Sequence, residues 1–243
     1  MKRVFVIAMI LVIGVGFCGC VEDVLKLAKY AKYAKAAKAV KLIELAPELQ
    51  EKYHFPTYED EIKSTAELIY EKVDYDNPIV RNFAVKLASK YPGDRNIMQL
   101  QAMYSYVKPR WRYVSDPQGF EYFAYASETI KNNFAGDCDD YAILMAALGE
   151  ATGFRMRILF GCSESECHAF PEAYLGPENN AKKLLQYLSY TFRDTIHYSK
   201  DGKGNYWLSL DWTSNHIGGK YLVNKVYIAF YPAEKRYEVL SAK

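Results

Sequence analysis

The segment that follows Cys138 constrains the fold more than any other part of the chain. Tyr141, Leu144, Met145 and Leu148 recur at helical spacing. Ala142, Ala146 and Gly149 form a row of small residues beside them, and Ile143 lies on a further side. A helix that is apolar nearly all round cannot rest on a surface, so other elements must enclose it. The small row marks where one of them can approach closely. Asp137 can cap the start and Gly153 suits the stop, which places Cys138 in the first turn. The chain has 243 residues, half of them hydrophobic, enough for one domain with extra helices or at most two small domains.

Strands are the expected enclosure. Residues 155–162 alternate and read as one strand, residues 167–175 as the next, and the polar stretch 163–166 between them makes a hairpin. Residues 206–212 read as a further strand with Asp211 near its end, and residues 221–239 alternate enough for two more. The 22 tyrosines suit half-buried sheet surfaces. Upstream, helices are expected over 57–73, over 78–91 behind an Asn77-Pro78 cap, and from an Asp94 cap to about 107. A helix inserted over 179–198 would lie across a cleft, and Gly218-Gly219 reads as a turn.

A thiol in a first helical turn is chemically favoured as its anion, because unpaired backbone N–H groups and the helix dipole face it. The same N–H groups can form an oxyanion hole. The carboxylates of Asp137, Asp139 and Asp140 oppose that effect, so Cys138 needs a cationic partner. His168, opening the second hairpin strand, is available, and Asp211 can orient it. A thiol on a helix, with an imidazole and a carboxylate on strands, is a nucleophile–base–orienter arrangement. Competing readings are a plain core cysteine, a turn-capping Asp211, and a zinc site from Cys138, Cys162, Cys167 and His168. The zinc site would consume the nucleophile and lacks a paired C-x-x-C. Outside a cell, Cys162 and Cys167 could instead form a cross-strand disulfide beside His168. The Asp137-Cys138-Asp139-Asp140 run lacks the spacing of a calcium loop, so no metal site and no cofactor are expected. His197 and His216 read as incidental.

The N-terminus reads as a targeting segment. Lys2 and Arg3 precede an uncharged run that ends before Glu22. Its length lies between a signal-peptide core and a short transmembrane helix. Residues 1–21 are therefore expected to be cleaved, to stay as an anchor, or to be removed up to a lipid-bearing Cys20. The folded domain is expected outside the cytoplasm. Lys26, Lys29, Lys32 and Lys35 weigh the other way by the positive-inside count, so a cytoplasmic-facing orientation stays open. Residues 22–56 read as a helical spacer, because lysines at every third position wind around a helix instead of marking one face. Contact of those lysines with anionic headgroups is the alternative. Residues 57–243 form the remaining domain. A net charge of +2 gives no case for nucleic acid.

The residues that carry the chemistry also carry a resemblance. Gly136-Asp-Cys138-Asp-Asp-Tyr-Ala with its helix to Gly153-Phe-Arg, His168-Ala-Phe-Pro-Glu-Ala-Tyr, and Trp207-Leu-Ser-Leu-Asp211-Trp-Thr resemble the transglutaminase-like superfamily of papain-type cysteine enzymes. The upstream Trp111-Arg-Tyr-Val-Ser-Asp-Pro117 and Ser127-Glu-Thr-Ile130 resemble its prokaryotic and archaeal members. The similarity spans roughly residues 95–215. It implies an α+β core in which the nucleophile helix packs on an antiparallel sheet, preceded by N-terminal helices. It also implies that Cys138 is the nucleophile, His168 the base and then acid, and Asp211 the group holding His168. Phe170 stands where members often have tryptophan. Trp111 and Tyr113 are the upstream candidates for an oxyanion donor or cleft wall. The expected activity is acyl transfer or hydrolysis at amide bonds of protein or peptide substrates, leaning to hydrolysis. Protein-glutamine crosslinking is one alternative and a non-catalytic, membrane-tethered binding domain is another.

Overall fold

The computed structural model describes residues 58–117, 121–162, 167–223 and 225–240. The expected anchor over 1–21, including Cys20, and the spacer over 22–56 lie outside the described residues. The chain divides into two compact units, residues 1–65 with 117–121 and residues 66–116 with 122–243. Of the first, the described part is chiefly the opening of helix α1 (Tyr58–Lys72). The second unit carries every element discussed below. No helix among the described residues is long and apolar enough to cross a membrane.

Two helices prepare the site. Helix α2 (Pro78–Ala88) starts where Asn77 accepts a hydrogen bond from Ile79 N at 3.1 Å, with Pro78 in its first turn, where a missing N–H costs nothing. Helix α3 (Ile97–Val107) starts two residues later than an Asp94 cap would place it. Gly93 and Arg95 both have positive φ, so the chain is still turning there, and Asn96 supplies the cap by accepting from Met98 N at 3.0 Å. A short parallel pair then forms between β1 (Arg112–Tyr113) and β2 (Ala135–Gly136), with helix α4 (Ala126–Lys131) between them. This pair has no hydrophobic alternation and is not readable from the sequence.

Helix α5 (Cys138–Glu150) is the centre of the fold, and residues 139 to 149 are all buried. It packs on a six-stranded, wholly antiparallel sheet in the order β5-β6-β4-β3-β7-β8. The strands are β3 (Met156–Cys162), β4 (Cys167–Gly176), β5 (Tyr198–Lys200), β6 (Tyr206–Ser209), β7 (Lys225–Tyr231) and β8 (Arg236–Val239). The row of small residues on α5 has the expected use: a Cβ added at Gly149 would lie 2.5 Å from Met156 Sδ, at the start of β3. Leu159, Phe170, Trp207, Val223, Ala229 and Tyr231 form one apolar cluster on the sheet. The inserted helix, α6 (Glu178–Phe192), ends at Arg193 with φ +55°, six residues before the expected end, because the chain must turn back to form the edge strand β5. The α+β architecture is the expected one.

Candidate active site

The site is assembled where the first turn of α5 meets the loop end of the β3–β4 hairpin. Asp137 and Asp140 form a capping box at the helix start, with Asp137 N donating to Asp140 Oδ2 at 3.3 Å. Asp140 Oδ1 also accepts from Ala124 N at 2.8 Å, which ties the segment after β1 to the same turn. Gly136 is required for this closeness: a Cβ there would sit 2.6 Å from Asp140 Cβ. Cys138 is left half-buried and is the one free cysteine among the described residues.

His168 enters from the sheet. It pairs with Gly161 across the hairpin, one step from the Cys162–Cys167 rung, and those two cysteines are joined as a disulfide. Sulfurs bonded to each other cannot ligate zinc, which removes the metal reading of that quartet. The ladder between β4 and β6 ends at Glu172 and Ser209, and Leu210 N extends it by donating to Pro171 O at 3.0 Å. Asp211 is thereby brought alongside the start of β4, just beyond the end of β6 and not inside a strand reaching 212. His168 Nε2 and Asp211 Oδ2 are 2.8 Å apart, and both side chains are almost fully buried. Asp211 Oδ1 accepts from Thr213 N at 3.1 Å, so both carboxylate oxygens are occupied. The Cys138 thiol is close enough to the imidazole to act on it electrostatically, and with Nε2 engaged by Asp211 the ring nitrogen left for another partner is Nδ1.

The electrostatics follow from these placements. Burial alone would lower the His168 pKa, but the hydrogen bonds and charges of Asp211 and Cys138 outweigh it and raise the imidazole to about 9. Burial raises Asp139 well above the usual carboxylate range, and the adjacent Asp137 charge adds to that. Burial likewise pushes Asp140 up to about 7 against the lowering hydrogen bond from Ala124 N. Oxygens of Asp137, Asp139 and Asp140 lie within 4.8 Å of one another. Asp137 Oδ1 and Asp139 Oδ1 have no hydrogen-bond partner among the described residues. The trio does not follow calcium-loop spacing, yet the first helical turn makes its oxygens converge, so these are the residues that could hold a hard cation.

Aromatic side chains wall the cleft. The β1–β2 register sets Tyr113 beside Gly136, where partial burial and, after it, the nearby Cys138, Asp137 and Asp139 raise the pKa of its phenol. Its ring lies 5.7 Å from that of Trp212, the neighbour of Asp211. Trp111 packs edge-on against Tyr141 at 5.1 Å, and its buried Nε1 has no partner among the described residues. Phe170 stacks beside His168 at 6.0 Å. Trp212 escaped the sequence reading, although it follows Asp211 directly. So did the buried pair of Arg157 and Glu172, whose guanidinium donates to Glu172 Oε2 at 2.6 and 2.8 Å. Two ionisable residues equidistant from a hairpin turn inside apolar strands were the available signal for it. His216, half-buried, contacts the exposed Asp194 at 3.2 Å.

Residues 81–212 match the family model described as the transglutaminase-like superfamily. No curated protein sequence matches the chain. Among solved structures it is similar to LapG of Legionella pneumophila, at 20% identity over 68% of this chain and 81% of that one, with a TM-score of 0.43. A calcium-bound form of the same protein matches at 21% identity over 62% and 83%, with a TM-score of 0.40. A Cytophaga hutchinsonii chain, provisionally named a cysteine protease, matches at 24% identity and a TM-score of 0.35 over 41% of this chain. The present chain spans only 34% of that protein's length. With the family match covering more than half of its residues, the chain belongs to the transglutaminase-like superfamily.

Proposed function

We propose that the chain is a thiol-dependent enzyme that hydrolyses amide bonds of peptide or protein substrates, with Cys138 as nucleophile, His168 as general base and acid, and Asp211 as orienter. One observation carries this reading: a free thiol at the start of a buried helix stands beside an imidazole whose far nitrogen is held at 2.8 Å by a buried carboxylate. In the first half-reaction, Cys138 gives its proton to His168 and Sγ bonds to the substrate carbonyl carbon. The C–N bond then breaks, and the amine leaves with the proton from His168. Water attacks the resulting thioester, its proton passing to His168, and the acid departs as the proton returns to sulfur. First-turn N–H groups of α5 face the developing oxyanion. The partnerless Nε1 of Trp111 supports a role as a further donor.

If an amine takes the place of water in the second half, the same site performs transamidation. Both outcomes are separated by mass spectrometry of products from glutamine-containing peptides, with and without a primary amine, beside Cys138→Ala. Cleavage or deamidation that needs Cys138 and ignores the amine supports hydrolysis, and amine adducts support transfer. Identical products from wild type and Cys138→Ala would favour a binding domain instead.

Two further readings belong here. The Cys162–Cys167 disulfide supports placement of the domain in an oxidising, extracytoplasmic compartment, tethered through residues 1–21. Asp137, Asp139 and Asp140 would hold a divalent cation, whose charge would offset the burial and, after it, the neighbouring carboxylate charge that raise Asp139 and Asp140. Calorimetric titration with calcium tests this: uptake by wild type and loss in Asp139→Asn support it, and no uptake by wild type rejects it.

A further inference from the structure

We infer that Tyr104, on the helical layer and far from the site in sequence, is a positioning residue for Asp211. This rests on the proposed Cys138–His168–Asp211 chemistry.

Asp211 lies just outside β6, where the sheet no longer fixes the backbone. Within the turn it opens, Thr213 N donates to Asp211 Oδ1 at 3.1 Å. Ser214 N donates to Asp211 O at 3.2 Å, and Asp211 N reaches Ser209 Oγ at 3.3 Å. Both are at the long end of the hydrogen-bond range. The close anchor comes from α3. The Tyr104 hydroxyl reaches Ser214 O at 2.5 Å and Asp211 O at 3.0 Å, the two ends of the turn, across 110 and 107 positions of sequence. A phenol has one proton, so the two carbonyls share it, and the turn is clamped closed from its backbone side. With the turn closed, the Asp211 carboxylate accepts from Thr213 N through Oδ1 and presents Oδ2 to His168 Nε2. Tyr104 is 1% exposed, and burial together with the Asp211 charge raises its pKa, which keeps the phenol protonated as a donor.

Tyr141 provides a matched comparison. It is as deeply buried, it also lies near Asp211, and its hydroxyl has no partner among the described residues. If burial of a phenol near the site were all that mattered, the two tyrosines would be equivalent. If the clamp matters, only Tyr104 acts on His168.

The test uses the full chain labelled with 15N-histidine. Two readouts are taken: the His168 Nε2–H resonance, which reports the bond to Asp211, and the rate of Cys138 alkylation by iodoacetamide at pH 6, read by peptide mass spectrometry. Tyr104→Phe keeps the ring and removes the clamp. It should move the resonance upfield and slow alkylation about fivefold, the size of one hydrogen bond of about 1 kcal/mol. Site-specific 3-fluorotyrosine at position 104 restores a hydroxyl and should restore the alkylation rate, with the resonance at or downfield of its wild-type position. It also serves as the informative variant if Tyr104→Phe folds poorly, since a fluorinated, stronger donor should then shift the resonance downfield. Tyr141→Phe should leave both readouts at wild-type values. The inference is overturned if Tyr104→Phe leaves resonance and rate unchanged, whatever it does to the melting temperature. It is equally overturned if Tyr141→Phe matches its effect. Wild-type Cys138 reacting no faster than a small free thiol would instead refute the proposed chemistry, while the resonance would still report on the clamp.

Discussion

Glu172 stands four residues beyond His168 on β4 and is fully buried, a costly place for a carboxylate. It is tolerated because every neighbour is a donor. Arg157 Nε and Nη2 reach Oε2 at 2.8 and 2.6 Å, Ser199 Oγ lies 2.8 Å from Oε1, and the Tyr221 hydroxyl donates to Oε1 at 2.5 Å. The Arg157 guanidinium is 3% exposed and lies 4.2 Å above the Trp207 ring. Glu172→Ala strands that cation in the sheet with hydroxyls as its remaining partners. Breaking a buried pair from one side costs about 3–5 kcal/mol. That is a large part of the roughly 5–15 kcal/mol by which domains are stable. Replacing both partners, as Arg157→Met with Glu172→Leu, removes the stranded charge and should return most of the loss. Urea unfolding of the four members of this cycle at pH 7 is the assay. A single-variant cost below about 1 kcal/mol, or a double variant no more stable than Glu172→Ala, would refute the reasoning. The consequence extends to the site, because Tyr221 belongs to the segment returning from Asp211 and its ring packs on Phe170 at 5.5 Å.

Other outcomes follow from the same geometry. Asp211→Asn should slow Cys138 alkylation at pH 6 at least tenfold, because an amide no longer stabilises the imidazolium form of His168; an unchanged rate in peptide mass spectrometry would exclude that role. Since Asp211 and Cys138 raise the folded-state pKa of His168 from about 6.5 to about 9, its contribution is full below pH 6.5 and is lost as pH rises through 9. That contribution is on the order of 3 kcal/mol, and urea titrations at pH 6 and pH 10 should show the loss in wild type and little of it in Asp211→Asn. Burial raises Glu150 to about 7, so its ionisation costs stability as pH rises from 4.5 to 7. Glu150→Gln, which still accepts from Met156 N, should be neutral at pH 4 and stabilising by about 2 kcal/mol at pH 8 in thermal melts. Removing the Cys162–Cys167 disulfide as a double serine variant opens a short loop and should cost about 2 kcal/mol in urea unfolding, with a fall in Cys138 reactivity through the adjoining His168.

What could be read from the sequence was whatever declares itself locally. The apolar face of α5, its Asp137 start, and the β3–β4 hairpin all follow from spacing and short-range turn chemistry. His168 and Asp211 followed from the same motifs and from the family resemblance. Element ends were less legible, because they depend on tertiary demands: Asn96 displaces Asp94 as the α3 cap while the chain finishes its turn through Gly93 and Arg95, and α6 stops at Arg193 so that β5 can pair with β6. Least legible were partnerships across long sequence separations. Tyr104 looks like one more apolar face residue of α3, and nothing near it signals that its hydroxyl meets a turn more than a hundred residues away. The parallel β1–β2 pair is two residues long on each side, too short for any period to show, yet it is what carries Tyr113 to the helix start.

The central claim, that Cys138 attacks carbonyl carbon with help from His168, can be tested without knowing the natural substrate. The full chain is mixed with p-nitrophenyl acetate, quenched in acid, and mapped by peptide mass spectrometry beside His168→Ala. Acetyl thioester on Cys138 in wild type, strongly reduced in His168→Ala, is the result this account predicts. Acetylation spread over lysines with Cys138 unmodified, or equal labelling of Cys138 in both proteins, would contradict it.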